Sequence, residues 1–283
     1  MNLKISSESF PNPALKPLLK QLIQYFDSIN TPFYIIGATA RDIIMSVYGE
    51  KSGRATYDLD IAIAIPDWSL YEKIESDILE IDGFTKDNKK KQRFLYTGIF
   101  HLDIVPFGSI MNESDRIFWP PDKSIAMSVL GFSEVGNATQ EVVVDNQFSI
   151  KVASLAGVFL LKIVAWSDRH ISGNKDADDI GFILTNYFGI NEERLHKGHF
   201  DVFNTDDFSI ITAGATLLGR DLREILKDNP ATMEKVRKII SDELNRQEES
   251  KLVGQIMETN RLLKYNDIII SFSNIVFEMG IKE

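Results

Sequence analysis

The stretch that most constrains this chain is RATYDLDIAIAI, residues 54–65. From Asp58 onward it is apolar at nearly every position and rich in isoleucine. That is the composition of a central strand, covered on both faces. Yet two carboxylates head it. Side chains alternate along a strand, so Asp58 and Asp60 point to the same side, two rises apart. Carboxylates that close repel each other, and desolvation adds roughly several kcal/mol per ion. Water, neighbouring basic side chains or a bound metal ion would each relieve that cost.

A third acid stands in a similar setting. FHLDIVP, residues 100–106, places Asp103 in a second apolar strand. Hard divalent cations take carboxylate oxygens, and magnesium bound to substrate phosphates needs only one or two of them. Asp58, Asp60 and Asp103 are therefore a candidate site for Mg²⁺ or Mn²⁺. In its two-metal form such a site clamps the attacking and leaving oxygens of a phosphoryl displacement. The competing reading has Asp58 capping a strand and Asp103 in a salt bridge, and spacing alone does not separate the two.

Upstream, residues 33–36 form a short apolar strand, and Gly37-Ala38-Thr39 opens a helical pattern carried by Ile43, Ile44 and Val47. Backbone N–H groups at a helix N-terminus suit phosphate oxygens, which makes Gly37 and Thr39 candidate phosphate contacts. Neither GxxxxGK[ST] nor GxGxxG occurs, so this is not a Walker or dinucleotide loop.

The spacing predicts a helix that starts at Asn12-Pro13 and is ended by Thr31-Pro32, a turn over 49–53, and an amphipathic helix over 68–81. Two strands follow around Thr97-Gly98, and a hairpin spans 141–152 with Asp145-Asn146 as its turn. From Ser154 the pattern becomes helical: an apolar helix through Trp166, a polar loop over 167–179, then helical stretches over 177–187, 206–227, 230–249 and 251–262. The expected organisation is an α/β core over 1–152 and a helical C-terminal domain over 153–283 that completes the site.

Composition narrows the chemistry. The 283 residues include no cysteine, which removes disulfides, thiolate catalysis and cysteine-held zinc and agrees with a reducing compartment. No signal-peptide pattern and no bilayer-length apolar run are present, so the expectation is a cytoplasmic protein with no membrane partner. The net charge of −10 disfavours non-specific nucleic-acid binding. KDNKKKQR, residues 86–93, is the local exception, read either as a solvated hairpin or as a phosphate- or RNA-facing patch. His196 and His199 are spaced loosely like metal ligands without further ligands nearby, and His101 alternates with Asp103.

A strand, a glycine-plus-small-residue turn, a helix, then Asp58-x-Asp60 and a later Asp103 resemble the nucleotidyltransferase fold shared by DNA polymerase beta and CCA-adding enzymes. Ala38 stands where that fold usually has Gly or Ser, and so lacks the hydroxyl that some members direct at a phosphate. GATARD, RATYDLDIAI, QRF (92–94), LDIVPFG (102–108), LLKIVAWSDR (160–169) and KDADDI (175–180) together resemble more closely the AbiEii-like toxin nucleotidyltransferases of toxin–antitoxin and phage-defence systems. The resemblance implies an α+β fold, with a mixed sheet, flanking helices and a mostly helical C-terminal part. It implies transfer of a nucleoside monophosphate from an NTP such as ATP, with pyrophosphate leaving. It places Asp58, Asp60 and Asp103 on the metal and Lys162 with them in catalysis. Gly37, Ala38, Thr39, Arg41, Arg54, Lys175 and Asp176 would bind the nucleotide. Lys162 also reads as a snorkelling lysine, and Asp176 as an acid at a helix start. The implied acceptor is RNA, notably tRNA, or a protein, and the implied partner a cognate antitoxin. The alternatives are a small-molecule nucleotidyltransferase of the antibiotic-modifying type and a catalytically silent nucleotide- or partner-binding module.

Overall fold

The computed structural model describes residues 3–10, 12–50, 57–204 and 208–281, and the chain divides into two units, Met1–Ser154 and Leu155–Glu283. In the first unit the elements run β1 (Leu3–Ile5), α1 (Leu15–Ser28), β2 (Phe33–Ile36), α2 (Gly37–Val47), β3 (Asp58–Ile65), α3 (Trp68–Glu80), β4 (Phe84–Lys86) and β5 (Arg93–Tyr96). They continue with β6 (Phe100–Gly108), β7 (Arg116–Phe118), β8 (Ala126–Ser128), α4 (Phe132–Asn137), β9 (Gln140–Val144) and β10 (Phe148–Val152). Among the described residues eight strands form one mixed sheet, in the order β1-β9-β10-β2-β3-β6-β5-β4. The apolar run after Asp58 is thus an interior strand, antiparallel to β2 and parallel to β6.

The helices cover this sheet with the stripes their spacing predicts. Leu15, Leu18, Leu19, Leu22 and Phe26 of α1 are buried, as are Tyr71, Ile74 and Ile78 of α3. Asp67 caps α3 by accepting from the Leu70 N–H at 3.0 Å, one of the orphan donors of a first turn. The helix expected from Asn12 begins later, at Leu15. Asn12 Oδ1 accepts from the Ala14 N–H at 2.9 Å, so Asn12-Pro13 forms a turn ahead of the helix. Pro17 then falls in the first turn, where no N–H has an intrahelical partner to lose. Asp145 and Asn146 turn the β9–β10 hairpin with φ of 51° and 54°, the conformation that two-residue hairpin loops favour. The turn expected over 49–53 lies partly outside the described residues.

The second unit is helical: α5 (Leu155–Arg169), α6 (Lys175–Ile190), α7 (Glu192–Gly198), α8 (Ile210–Leu226), α9 (Pro230–Asn245), α10 (Lys251–Thr259) and α11 (Tyr265–Gly280). Apart from Lys162, every residue of α5 from Leu155 to Val164 is buried, as befits a helix that is apolar all round. The polar loop expected over 167–179 is mostly absent. α5 runs through Arg169 and α6 starts at Lys175, because the charges in that stretch pair with one another. No helix among the described residues is long and apolar enough to cross a membrane.

Glycines in α8 let its neighbours come close. A Cβ on Gly219 would lie 2.8 Å from Glu278 Cβ and 3.0 Å from the Ile275 backbone of α11. A Cβ on Gly254 of α10 would meet nothing within 4 Å. Gly219→Ala is therefore expected to destabilise by about 1–3 kcal/mol, as overpacking does, despite its better helix propensity. Gly254→Ala is expected to be neutral or to stabilise by up to about 1 kcal/mol. Urea denaturation of the two variants beside the wild type measures the contrast.

Candidate active site

The register of four adjacent strands sets a single row across the sheet. Ile36 of β2 lies opposite Asp60 of β3, Asp60 opposite Asp103 of β6, and Asp103 opposite Arg93 of β5. Directly opposed residues project from the same face, on strands about 4.8 Å apart. Asp60, Asp103 and Arg93 thus share a face. Asp58, two residues along and opposite His101, joins them.

The chain leaves β2 through Gly37, at φ 69°, and turns at once into α2. A Cβ here would collide with the Asp60 carboxylate and lie 3.2 Å from its Cγ. Glycine is needed both for the positive φ and for that close approach. Thr39 Oγ1 donates to the Asp58 carbonyl at 2.5 Å and is almost wholly buried. Its hydroxyl therefore braces the first turn of α2 against the head of β3. What this end of α2 offers an anion is the backbone N–H groups of a helix's first turn, which have no intrahelical partner, with Gly37 and Ala38 half-buried.

Asp58 and Asp60 are half-buried, whereas Asp103 is buried. Arg93 grips Asp103 through both oxygens, Nε to Oδ1 at 2.6 Å and Nη2 to Oδ2 at 2.9 Å, with side chains only 12% and 9% exposed. The hydrogen bond to Asp103 raises the guanidinium pKa against the pull of burial, and the charges of Asp103, Asp58 and Asp60 add to the rise. Arg93 is therefore the cation that balances the row. No individual role was assigned to it from the sequence. The signal was there: counting outward from a three-residue turn over 97–99 pairs 96 with 100, and hence 93 with 103.

The three-carboxylate ligand set expected from the sequence is not assembled. Among the described residues no three His, Cys, Asp or Glu side chains are arranged to hold a metal ion, and Arg93 engages both oxygens of Asp103. Asp58 and Asp60 remain as an all-oxygen pair beside the Gly37 cradle. Such a pair fits magnesium, which is commonly held by one or two carboxylates and completed by water and phosphate oxygens.

The other expected residues are distributed differently. Arg41 is inside the fold, 1% exposed, with Nε and Nη2 on Asp42 Oδ1 at 2.9 and 2.7 Å, so it does not present a solvent-facing guanidinium to a phosphate. Arg54 lies outside the described residues. In the second unit Lys162 reaches Asp176 at 3.2 Å and Asp179 at 2.6 Å, and Arg169 reaches Asp176 at 2.7 Å. This network joins α5 to α6. Burial pushes the Asp176 carboxyl upward, but the Arg169 hydrogen bond and the Lys162 charge outweigh it and hold it below its usual range. Lys175 is exposed at the start of α6. His196 stacks on Phe203, and His199 Nδ1 lies 2.9 Å from Arg220 Nη1. His101, two residues before Asp103 on β6 and so on the same face, sits opposite Asp58. A cavity of about 510 Å³ opens beside the β4–β5 hairpin, lined by Tyr71, Leu79, Trp119, Pro120, Lys86 and Lys91. It does not include the aspartates.

The family model for AbiEii, described as a nucleotidyl transferase toxin of a type IV TA system, matches residues 25–262. Among solved structures, an antigenic nucleotidyltransferase-like protein from Paracoccidioides brasiliensis is 19% identical, with a TM-score of 0.42, over 77% of this chain and 94% of that one. The CdnE cyclic dinucleotide synthase of Elizabethkingia meningoseptica, solved with GTP and Apcpp, is 11% identical, with a TM-score of 0.29, over 99% of this chain and 96% of that one. No curated protein matches significantly.

Gly37→Ala is expected to destabilise the chain by about 1–3 kcal/mol, the usual cost of enforced backbone strain, as read by urea denaturation. Asp176→Asn is expected to cost about 3–5 kcal/mol at pH 7, the scale for breaking a buried ion pair. A carboxyl held below its unfolded pKa of about 3.9 stabilises fully above that value and loses the contribution as pH falls through the lower folded value. Urea melts at pH 7 and pH 3 are expected to show the gap between wild type and Asp176→Asn narrowing at the lower pH.

Proposed function

Since the chain belongs to the AbiEii nucleotidyl transferase toxin family, we propose that its reaction is metal-dependent transfer of a nucleoside monophosphate from an NTP to a hydroxyl of RNA. The observation that carries this reading is the row Asp60, Asp103, Arg93, with Asp58 beside it and Gly37 against the Asp60 carboxylate. Asp58 and Asp60 would hold Mg²⁺ or Mn²⁺. The ion, when bound, supplies Lewis-acid charge that offsets the negative charge of the triphosphate and the departing pyrophosphate. The N–H groups at the start of α2 lie next to this pair and bind phosphate oxygens of the NTP. Asp103, with an oxygen released from Arg93, orients the acceptor hydroxyl and takes its proton. The acceptor oxygen forms a bond to the α-phosphorus as the bond from that phosphorus to the pyrophosphate oxygen breaks.

RNA is preferred to protein because of the hairpin that carries Arg93. Lys86 is bound to Glu75 at 2.9 Å, but Lys89 and Lys90 are exposed at its tip. On a chain with a net charge of −10, this is a local cationic surface next to the strand that faces Asp103, and phosphate contacts are what position nucleic acid. The type IV toxin–antitoxin context of the family supports a cognate antitoxin as the protein partner.

Incubation with each α-labelled NTP, Mg²⁺ and either total RNA or protein extract tests this. Label is expected on RNA from at least one NTP. Asp60→Ala is expected to lower the rate about a thousandfold or more, since several kcal/mol of transition-state stabilisation are lost. Label on protein alone would overturn the choice of acceptor. No label on either, with Asp60→Ala indistinguishable from wild type, would overturn the metal-dependent reading.

A further inference from the structure

Arg93 is the cation seated on the third carboxylate of the row. Its guanidinium is bidentate on Asp103 at 2.6 and 2.9 Å, and it stands at the end of the row that runs from Asp60 through Asp103. A carboxylate with both oxygens on a guanidinium is geometrically committed, and it is a poorer base and a poorer metal ligand than a free one. Arg93 itself is held in place. It is the first residue of β5, its N–H donates to the Lys90 carbonyl at 3.2 Å, and the Ile104 N–H donates to the Gln92 carbonyl at 2.9 Å. The hairpin thus pins the backbone on both sides of the ion pair.

We propose that Arg93 is a positioning residue that gates the third carboxylate: while it grips Asp103, the row offers a divalent cation Asp58 and Asp60, and Asp103 joins the site when the guanidinium withdraws. The inference rests on the reading of Asp58 and Asp60 as a divalent-cation site. It goes beyond that reading in assigning a resident protein cation that competes with the metal for Asp103. A purely structural ion pair would also stabilise the hairpin, but its removal would leave metal binding as it was. A competing cation leaves a different signature: its removal tightens metal binding, and only while Asp103 is present.

Mn²⁺ titration followed by electron paramagnetic resonance, on the full chain without nucleotide, separates these cases. Arg93→Met is expected to bind Mn²⁺ about tenfold more tightly than wild type or to take up one more ion per chain, the scale on which neighbours of metal ligands act. Arg93→Lys, which keeps the charge but loses the fork, is expected to fall between them. Arg93→Met combined with Asp103→Asn is expected to return to wild-type binding. Circular-dichroism melts establish that each variant is folded, and Arg93→Lys carries the test if Arg93→Met is not. Unchanged Mn²⁺ affinity and stoichiometry in a folded Arg93 variant would overturn the gate and leave the Asp58–Asp60 site standing. Mn²⁺ binding that is absent from wild type, or indifferent to Asp60→Ala, would overturn the underlying site and the gate with it.

Discussion

Arg93 holds Asp103 by both oxygens, and around that ion pair the sheet places two more carboxylates. Without a cation at the end of the row, Asp58, Asp60 and Asp103 would face one another across strands about 4.8 Å apart in a partly desolvated setting. Repulsion would then favour a shift in register. A slip by one residue would turn Asp60 to the opposite face and the adjoining apolar residues toward the site, so register and charge balance reinforce each other. The parallel β3–β6 ladder, matched from Asp58–His101 to Ile65–Gly108, is the rigid part on which the arrangement stands.

The start of α2 is fitted to the same row. Ile36 is paired with Asp60, so Gly37 arrives beside that carboxylate and can do so only without a Cβ. Thr39 then ties the helix to the Asp58 carbonyl. Backbone donors and carboxylates, which serve opposite charges, are thereby held within a few residues of each other. A triphosphate with its metal ion needs both. Placing them on strands and a helix terminus limits the motion that would blur the site.

In the second unit charge is absorbed by pairing between helices. Lys162, Asp176, Asp179 and Arg169 look like a string of functional residues when read along the chain. In space they form one ion-pair network between α5 and α6, and the stretch expected as a loop is largely helix. A lysine on an otherwise buried helix requires such partners, because an unpaired buried charge costs several kcal/mol as a rough guide. The glycines of α8 answer a different need, close approach to α6 and α11.

Much of the core fold and part of the site were legible in the sequence, for physical reasons. The run after Asp58 could only be a covered strand, Gly37 could only be a turn into a helix, and the alternation around Thr97-Gly98 already implied a hairpin. Period and composition are local, and they suffice for elements long enough to repeat. The three-residue strands β1, β4, β7 and β8 are too short to show a period and exist through their ladder partners. Whether Asp103 meets a metal or a guanidinium was equally out of reach of local pattern. The chain alone determined that three carboxylates on apolar strands need water, basic side chains or a metal ion. Tertiary structure decided that Arg93 neutralises one of them, because the partner of a buried charge is set by which strands lie side by side.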